Sequence, residues 1–315
     1  MTNAKKLGLT ALAGSLVATS AYAGALDVTG TAKVIYASQD ESEVNGNPWS
    51  MSQGIGFAGS GDLDNGMTIS YTYSSTNMAF SSSNLKLDMG DNGTLSFANG
   101  ASLTGMQAHY DKMPTAGEQV WDDLDGQANG VATMSTTNTL GYSNTFAGMG
   151  ISVAYNKDSG AGLAGSATEG SSKSYALTSG DLMDGLEVGY AHADVSGTTT
   201  NNGTDSDTVY AKYTAGAVTF GAQLTQIDKS AVNSDVDRTH IAASMAVNEN
   251  LSLSLGQSIV EFENATKDDQ ESTGIAFSYT MGSMTIAGFN NTEDNSGGTQ
   301  GTDDSVTEVS VAFAF

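Results

Sequence analysis

The last ten residues, Val306-Thr307-Glu308-Val309-Ser310-Val311-Ala312-Phe313-Ala314-Phe315, alternate in character to the final position. Val309, Val311, Phe313 and Phe315 fall on one face, and Glu308, Ser310, Ala312 and Ala314 on the other. A period of two is that of a β-strand, whose successive side chains point to opposite sides. In water an apolar strand ending on an aromatic would be an edge that pairs and aggregates. In a bilayer it is viable if one face meets lipid and a partner strand closes the edge. The rest of the chain decides between the two settings.

The same period recurs upstream. Leu26, Val28, Ala32, Val34 and Tyr36 share a face opposite Asp27, Thr29, Thr31 and Lys33, and Leu251, Leu253 and Leu255 alternate with Ser252 and Ser254. Breaker residues divide the chain into sixteen predicted strands, from 25–38 through 66–80 and 83–90 to 304–315. Their connections alternate in length. Those at 61–65, 147–148, 216 and 282 are tight, whereas 39–49, 158–171 and 293–303 are long and mostly acidic. One connection, near Ser81 and Ser82, is short but falls on the long side. Tight turns at one end and long loops at the other predict an all-β fold, a transmembrane antiparallel β-barrel of 16 strands with both termini on the tight-turn side. A soluble sandwich would alternate similarly, but its second face would not be mostly Ser, Thr, Asn, Lys and Glu.

Composition and charge narrow the class. The 315 residues include 38 Gly, 2 Pro and no Cys, with only 15% charged, which disfavours helical repeats and excludes disulfide staples. A net charge of −24 argues against a nucleic-acid partner. Lys5 and Lys6 precede an apolar run at 7–17 and an Ala21-Tyr22-Ala23 cleavage site, so residues 1–23 read as a signal peptide and 24–315 as a single barrel domain. Its removal leaves 9 basic against 35 acidic residues, a formal charge of −26. No run of 18 apolar residues is present to form a spanning helix, but a membrane strand needs only about 10 alternating residues.

One segment breaks the meander. Residues 99–135, NGASLTGMQAHYDKMPTAGEQVWDDLDGQANGVATMS, hold Pro114, Trp121 and a packet of carboxylates at Asp111, Glu118, Asp122, Asp123 and Asp125. A loop of this length in a compact domain is functional or contradicts the strand assignment. With sixteen strands, tight turns, a terminal Phe315 and this long third outer loop after strand five, the mature chain resembles the Gram-negative outer-membrane porins. It is most similar to the general diffusion porins of alphaproteobacteria. The resemblance implies that the third loop folds inward to narrow the pore and that three barrels associate as a homotrimer. It also implies an outer-membrane location among lipid, and that Phe315 is read by the barrel-assembly machinery. Two departures stand out. Porin trimers are often latched by the second outer loop, here only a few residues near Ser81, and the usual arginine cluster facing the loop is missing, since Arg238 is the one arginine.

Phase identifies candidate counter-charges. Lys33 lies with Thr29 and Thr31, Lys86 with Asn84 and Asp88, and Lys212 with Thr208, Tyr210 and Thr214. A lysine aimed at lipid in mid-membrane costs about 2–4 kcal/mol, so these side chains are expected to face the lumen. Arg238 and His240 share a polar face at the outer end of strand twelve, suited to the mouth or to the constriction. A transverse field is expected, loop acids on one side and Lys33 and Lys86 on the other, ordering water and favouring polar solutes. The alternative is that the acids are solvated or paired with the nearby Lys112.

Other motifs carry less. Gly54-Ile55-Gly56-Phe57-Ala58-Gly59 has the spacing of a nucleotide-binding turn but is followed by a turn rather than a helix. Asp62-Leu63-Asp64-Asn65-Gly66 and Asp123-Leu124-Asp125-Gly126 are similar to calcium loops without the closing Glu, so only adventitious divalent-cation binding at loop carboxylates is expected, and no cofactor. His109, His192 and His240 lack metal-ligand spacing, and no G-x-S-x-G elbow marks a nucleophile. Tyr36, Tyr142, Tyr155, Tyr190 and Tyr279 near strand ends suit interfacial girdles, whereas both Trp residues are placed in loops. The expected function is non-enzymatic: passive diffusion of small hydrophilic solutes and ions through a mildly cation-selective channel. Two alternatives stand beside it, a substrate-specific channel with a binding site on 99–135 and a plugged structural or adhesive barrel.

Overall fold

The computed structural model describes residues 26–39, 46–100, 104–126, 131, 136–157, 171–196 and 203–315. Sixteen antiparallel strands follow one another around a closed barrel. They are β1 (Asp27–Gln39), β2 (Trp49–Asp62), β3 (Thr68–Thr76), β4 (Ala79–Asp88), β5 (Thr94–Asn99), β6 (Thr139–Phe146), β7 (Met149–Asn156) and β8 (Ser172–Ser179). The second half comprises β9 (Leu186–Val195), β10 (Thr204–Ala215), β11 (Val218–Lys229), β12 (Val236–Ala246), β13 (Leu251–Phe262), β14 (Gln270–Met281), β15 (Met284–Asp294) and β16 (Asp304–Ala314). β16 returns to β1, with Lys33 opposite Ala312, and the seam ends where Phe315 N–H donates to Gly30 O at 2.8 Å and Gly30 N–H to Phe315 O at 3.1 Å. Closure satisfies the edges that lipid could not.

The wall is uneven in height. β5 has 6 residues and β6 to β8 have 8 each, whereas β10, β11, β13 and β14 have 12. At ~3.4 Å per residue that is roughly 20 Å against roughly 40 Å of strand.

Alternation has the expected sense. Val309 and Phe313 are exposed on the outside while Glu308 and Ser310 are buried toward the lumen. The glycines of the Gly54–Gly59 motif that face inward make room for barrel-wall threonines. A Cβ on Gly54 would lie 2.7 Å from Thr31 Oγ1, and one on Gly56 2.6 Å from Thr29 Oγ1.

Two local expectations are corrected. The second outer turn is not at Ser81 and Ser82 but at Asn77 and Met78, whose φ angles of 51° and 64° are those of a tight type I′ hairpin turn. Asn77 secures it by donating its N–H to Gln53 O and accepting from Gln53 N–H on its Oδ1. The serine run looks like a turn but continues β4. A bulge beside Ser74 and Ser75 absorbs the offset, and Ser74 and Ser82 pair through their hydroxyls at 2.7 Å inside the wall. Trp49 is not a loop residue. It opens β2, is 59% exposed on the outer face and packs edge-on against Tyr36 at 5.2 Å, as an interfacial aromatic does.

Candidate pore constriction

The third outer loop leaves β5 and rejoins β6, its neck pinned by Gly100 N–H donating to Thr136 O. From there it folds into the barrel. Gly105 turns the chain with φ 61° into a short 3-10 helix, Gly105–His109, and a Cβ there would sit 2.0 Å from Ser174 Oγ, so only glycine permits this approach. Gly105 N–H donates to Ser152 Oγ and Met106 N–H to Ser174 Oγ. Further along, Gln223 Nε2 donates to His109 O, Ala116 N–H to Ser254 Oγ, Asn291 Nδ2 to both Gln119 O and Asp122 O, and Gly126 N–H to Glu293 Oε1. The described part of the loop thus runs along the inner wall from β7 to β16, with wall side chains taking up backbone groups at intervals.

Apolar burial reinforces these bonds. Met106 and Val131 join inward-facing Ala176, Ala191, Ala193, Ile227, Val236 and Val260. Leu124 packs on Ala276, Phe289 and Val306, and Met113 and Trp121 on Tyr210. Trp121, 1% exposed, also packs against His240, the rings tilted at 48° with centroids 4.4 Å apart. Each of the larger aliphatic side chains among them, such as Met106, Leu124 and Ile227, contributes about 1.5–3 kcal/mol on burial.

The opposite side of the loop is charged. Asp111, Glu118, Asp122 and Asp123 face a cavity of about 560 Å³ whose far wall is Lys33 of β1 and Glu308 of β16, with Tyr110 between. Asp111 and Asp123 hold left-handed backbone, φ 49° and 60°, which Asp tolerates better than most residues. A turn from Gln119 to Asp122 presents the next carboxylate: Gln119 N–H donates to Asp122 Oδ2 at 2.7 Å, and Asp122 N–H returns to Gln119 O. Burial raises the Asp122 carboxyl to about 7, opposed by the Gln119 N–H and reinforced by Glu118, Asp111 and Asp123. Burial and then Glu118 raise Asp111 to about 6. Across the cavity, the Lys33 ammonium lies 2.7 Å from Glu308 Oε1.

The remaining sequence candidates lie elsewhere. Asp125 turns away, its N–H donating to Asp304 Oδ2 under the loop. Lys86 faces the lumen from β4, across from Ser70 and Ser96, and is not among the residues lining the Asp122 cavity. Lys212 and Lys112 share Glu187, at 3.3 and 3.7 Å, and Tyr210 Oη donates to the same carboxylate at 2.6 Å. Lys112 is therefore not the counter-ion of the loop acids. Arg238 is mostly buried beneath the loop, where its Nη1 donates to Val131 O at 3.0 Å, and it is not among the residues lining the Asp122 cavity. His109 is likewise a buried support, edge-on to Tyr210 at 4.8 Å, and burial followed by the Lys112 charge lowers it to about 4.

Glu308, Tyr110, Asn291 and Glu293 escape sequence reasoning. Glu308 is visible in it as a polar-phase residue and Glu293 only as the first residue of the connection 293–303, and nothing in spacing shows that one meets Lys33 and the other a loop amide.

Comparison with known proteins follows the same lines. A family model described as Gram-negative porin matches residues 8–314. A porin structure refined at 1.8 Å resolution superposes with a TM-score of 0.70 at 16% identity, covering 92% of this chain and all of that one. A triple mutant of the Rhodopseudomonas blastica porin superposes at 0.63 with 14% identity and the same coverage. No curated protein matches the sequence.

Proposed function

The chain belongs to the Gram-negative porin family, a 16-stranded barrel of the outer membrane, and from that premise we propose that it is a general diffusion channel with a mild preference for cations. Small hydrophilic solutes and ions pass down their gradients, and no covalent chemistry occurs. The observation that carries the preference is the imbalance at the constriction. Among the described residues, four loop carboxylates and Glu308 line the cavity with Lys33 as its one cation, and Lys33 is already engaged by Glu308. The field across the lumen is therefore weaker on its basic side than an arginine cluster would make it, and the negative side dominates. Because Asp122 and Asp111 ionise near 7 and 6, the negative charge is partial around neutrality, in keeping with a mild preference. Polar cavities of about 560 and 630 Å³ beside the loop support an open lumen.

The reading extends to assembly: three copies associate, and the final strand with Phe315 serves as the address for the barrel-assembly machinery. With only the two-residue turn at Asn77 and Met78 in place of a latching loop, subunit contact would rest on the barrel walls.

The test is the reversal potential of single channels in a tenfold KCl gradient. A potential on the cation-selective side, reduced by Asp122→Asn with Asp123→Asn, supports the proposal. An anion-selective or unaltered potential overturns it.

A further inference from the structure

The constriction loop has a second charged face. Asp111, with its φ of 49°, turns the chain so that Tyr110 and Asp111 line the Asp122 cavity while Lys112 reaches the wall at β9 and β10. There the Lys112 ammonium lies 3.7 Å from Glu187 Oε1, and Lys212 lies 3.3 Å from the same oxygen. Tyr210 Oη donates to Glu187 Oε1 at 2.6 Å, and its ring centre is 5.3 Å from the Lys112 ammonium. Glu187 stands at the start of β9 and Lys212 near the end of β10, both close to the tight turns, whereas Lys33 sits at the middle of β1. The tight-turn end of an outer-membrane barrel is periplasmic. A solute passing from the Asp122 cavity to the periplasm therefore crosses the level of this group.

The charges of the group do not balance. Two ammonium groups share one carboxylate, and among the described residues Glu187 is the one acid in ion-pair contact with either lysine. The two lysine side chains are 25% and 26% exposed, so the surplus positive charge is open to the lumen. Burial holds the Lys112 ammonium below its ordinary value, Glu187 opposes this, and the Lys212 charge adds to it. An ammonium short of both water and counter-charge gains from a further anion. Toward the tight turns, Thr214 shares the inward phase of Lys212 and pairs with Thr219 through exposed hydroxyls at 3.0 Å. An oxyanion offers acceptors to both ammoniums and to a hydroxyl at once, which a single spherical ion does not.

We propose that Lys112 and Lys212 form a holding site for a small oxyanion, the phosphate or carboxylate group of a permeating solute, on the periplasmic side of the constriction. The site rests on the channel reading above and adds an anion-favouring step to a pore whose constriction favours cations. It lies on the loop's own side of the lumen, on β9 and β10, rather than across the Asp122 cavity at Lys33. Glu187 limits how tightly an anion is held, because it competes for the same two ammoniums and repels the incoming charge. A site of that strength delays a solute without trapping it, which conduction requires.

Single-channel current in planar bilayers tests this, with potassium chloride exchanged stepwise for potassium phosphate or potassium acetate at constant pH and ionic strength. Phosphate, acetate or both should produce current interruptions that grow more frequent with concentration and then saturate. Lys112→Gln with Lys212→Gln should abolish them. Lys212→Gln alone leaves the Lys112 tether of the loop in place and should shorten them several-fold. Glu187→Gln keeps an acceptor for Tyr210 but removes the competing charge, so the interruptions should lengthen several-fold. Shortening in Glu187→Gln, as expected of a mere tether, overturns the proposal. So does an equal loss in Lys86→Gln, which removes a lumen charge elsewhere on the wall. A protein that conducts potassium chloride but shows no interruption with either oxyanion also overturns it, whereas a protein with no conductance at all overturns the channel reading and this site with it.

Discussion

Asp122 and Asp111 owe their altered acidity to a loop that removes them from bulk water and lines them up with Glu118 and Asp123. Both carboxyls are raised in the folded protein, so both favour the docked loop when protonated. That stabilisation is complete below the ordinary carboxylate range and is lost as pH rises through about 6 for Asp111 and about 7 for Asp122. Cation preference should run the opposite way, falling as pH is lowered from 8 to 5. Reversal potentials at fixed salt should show a transition between about 6 and 7 that Asp122→Asn with Asp111→Asn removes. Across the cavity, Lys33→Gln should raise cation preference and Glu308→Gln should lower it. A unit charge about 8 Å from a permeant ion in water is worth about 0.5 kcal/mol, roughly a twofold change in permeability ratio. The two variants should shift the reversal potential in opposite directions. The loop acids and Lys33 are legible from the chain because each is out of place as a lipid-facing residue. Their pairing is not, since Glu308 lies 275 positions from Lys33 and joins it only when the barrel closes.

At the scale of elements, the third loop is held by wall side chains that look like breaks in the polar phase. Ala191, Ala193, Ile227, Val236, Val260 and Val306 point into the lumen, where alternation alone predicts polar residues. Their purpose appears only when Met106, Leu124 and Val131 descend on them. The strands themselves were readable because period two and turn chemistry are local, and the miss at Ser81 shows where locality fails. A bulge shifts the register without any cue in composition. Glu293, 1% exposed, binds Gly126 N–H through one oxygen and Ser272 Oγ through the other. Glu293→Ala leaves the buried Ser272 hydroxyl and the half-buried Gly126 N–H without this partner, at about 1–3 kcal/mol each. Single-channel traces should then show more frequent partial closures, and protease cleavage within 99–135 should quicken while heat-modifiable migration is unchanged. Gly105→Ala should do the same at the other end of the loop, since its φ and the Ser174 hydroxyl both exclude a Cβ.

For the whole molecule, the barrel is closed by contact between the two ends of one chain. Deletion of Phe315 removes both hydrogen bonds to Gly30 and the aromatic that is 79% exposed on the outer surface. The expected outcome is a lower yield of heat-modifiable, assembled protein, with unchanged conductance in the channels that do form. Strand number and handling of the termini are legible from turn lengths. What turn lengths do not show is that, among the described residues, the outward-facing carboxylates of the strands all lie on β9 to β15, which emerges only when outward positions from many strands are viewed side by side.

The seam between β1 and β16 also imposes an order in time. β1 leaves the ribosome first of the sixteen strands and its partner leaves last, so the circle cannot be completed while synthesis is under way. Every prematurely terminated chain is left with two raw edges, and a chain missing its last few residues lacks the piece that meets Gly30. Closure therefore acts as a proof of full length, checked once at the end.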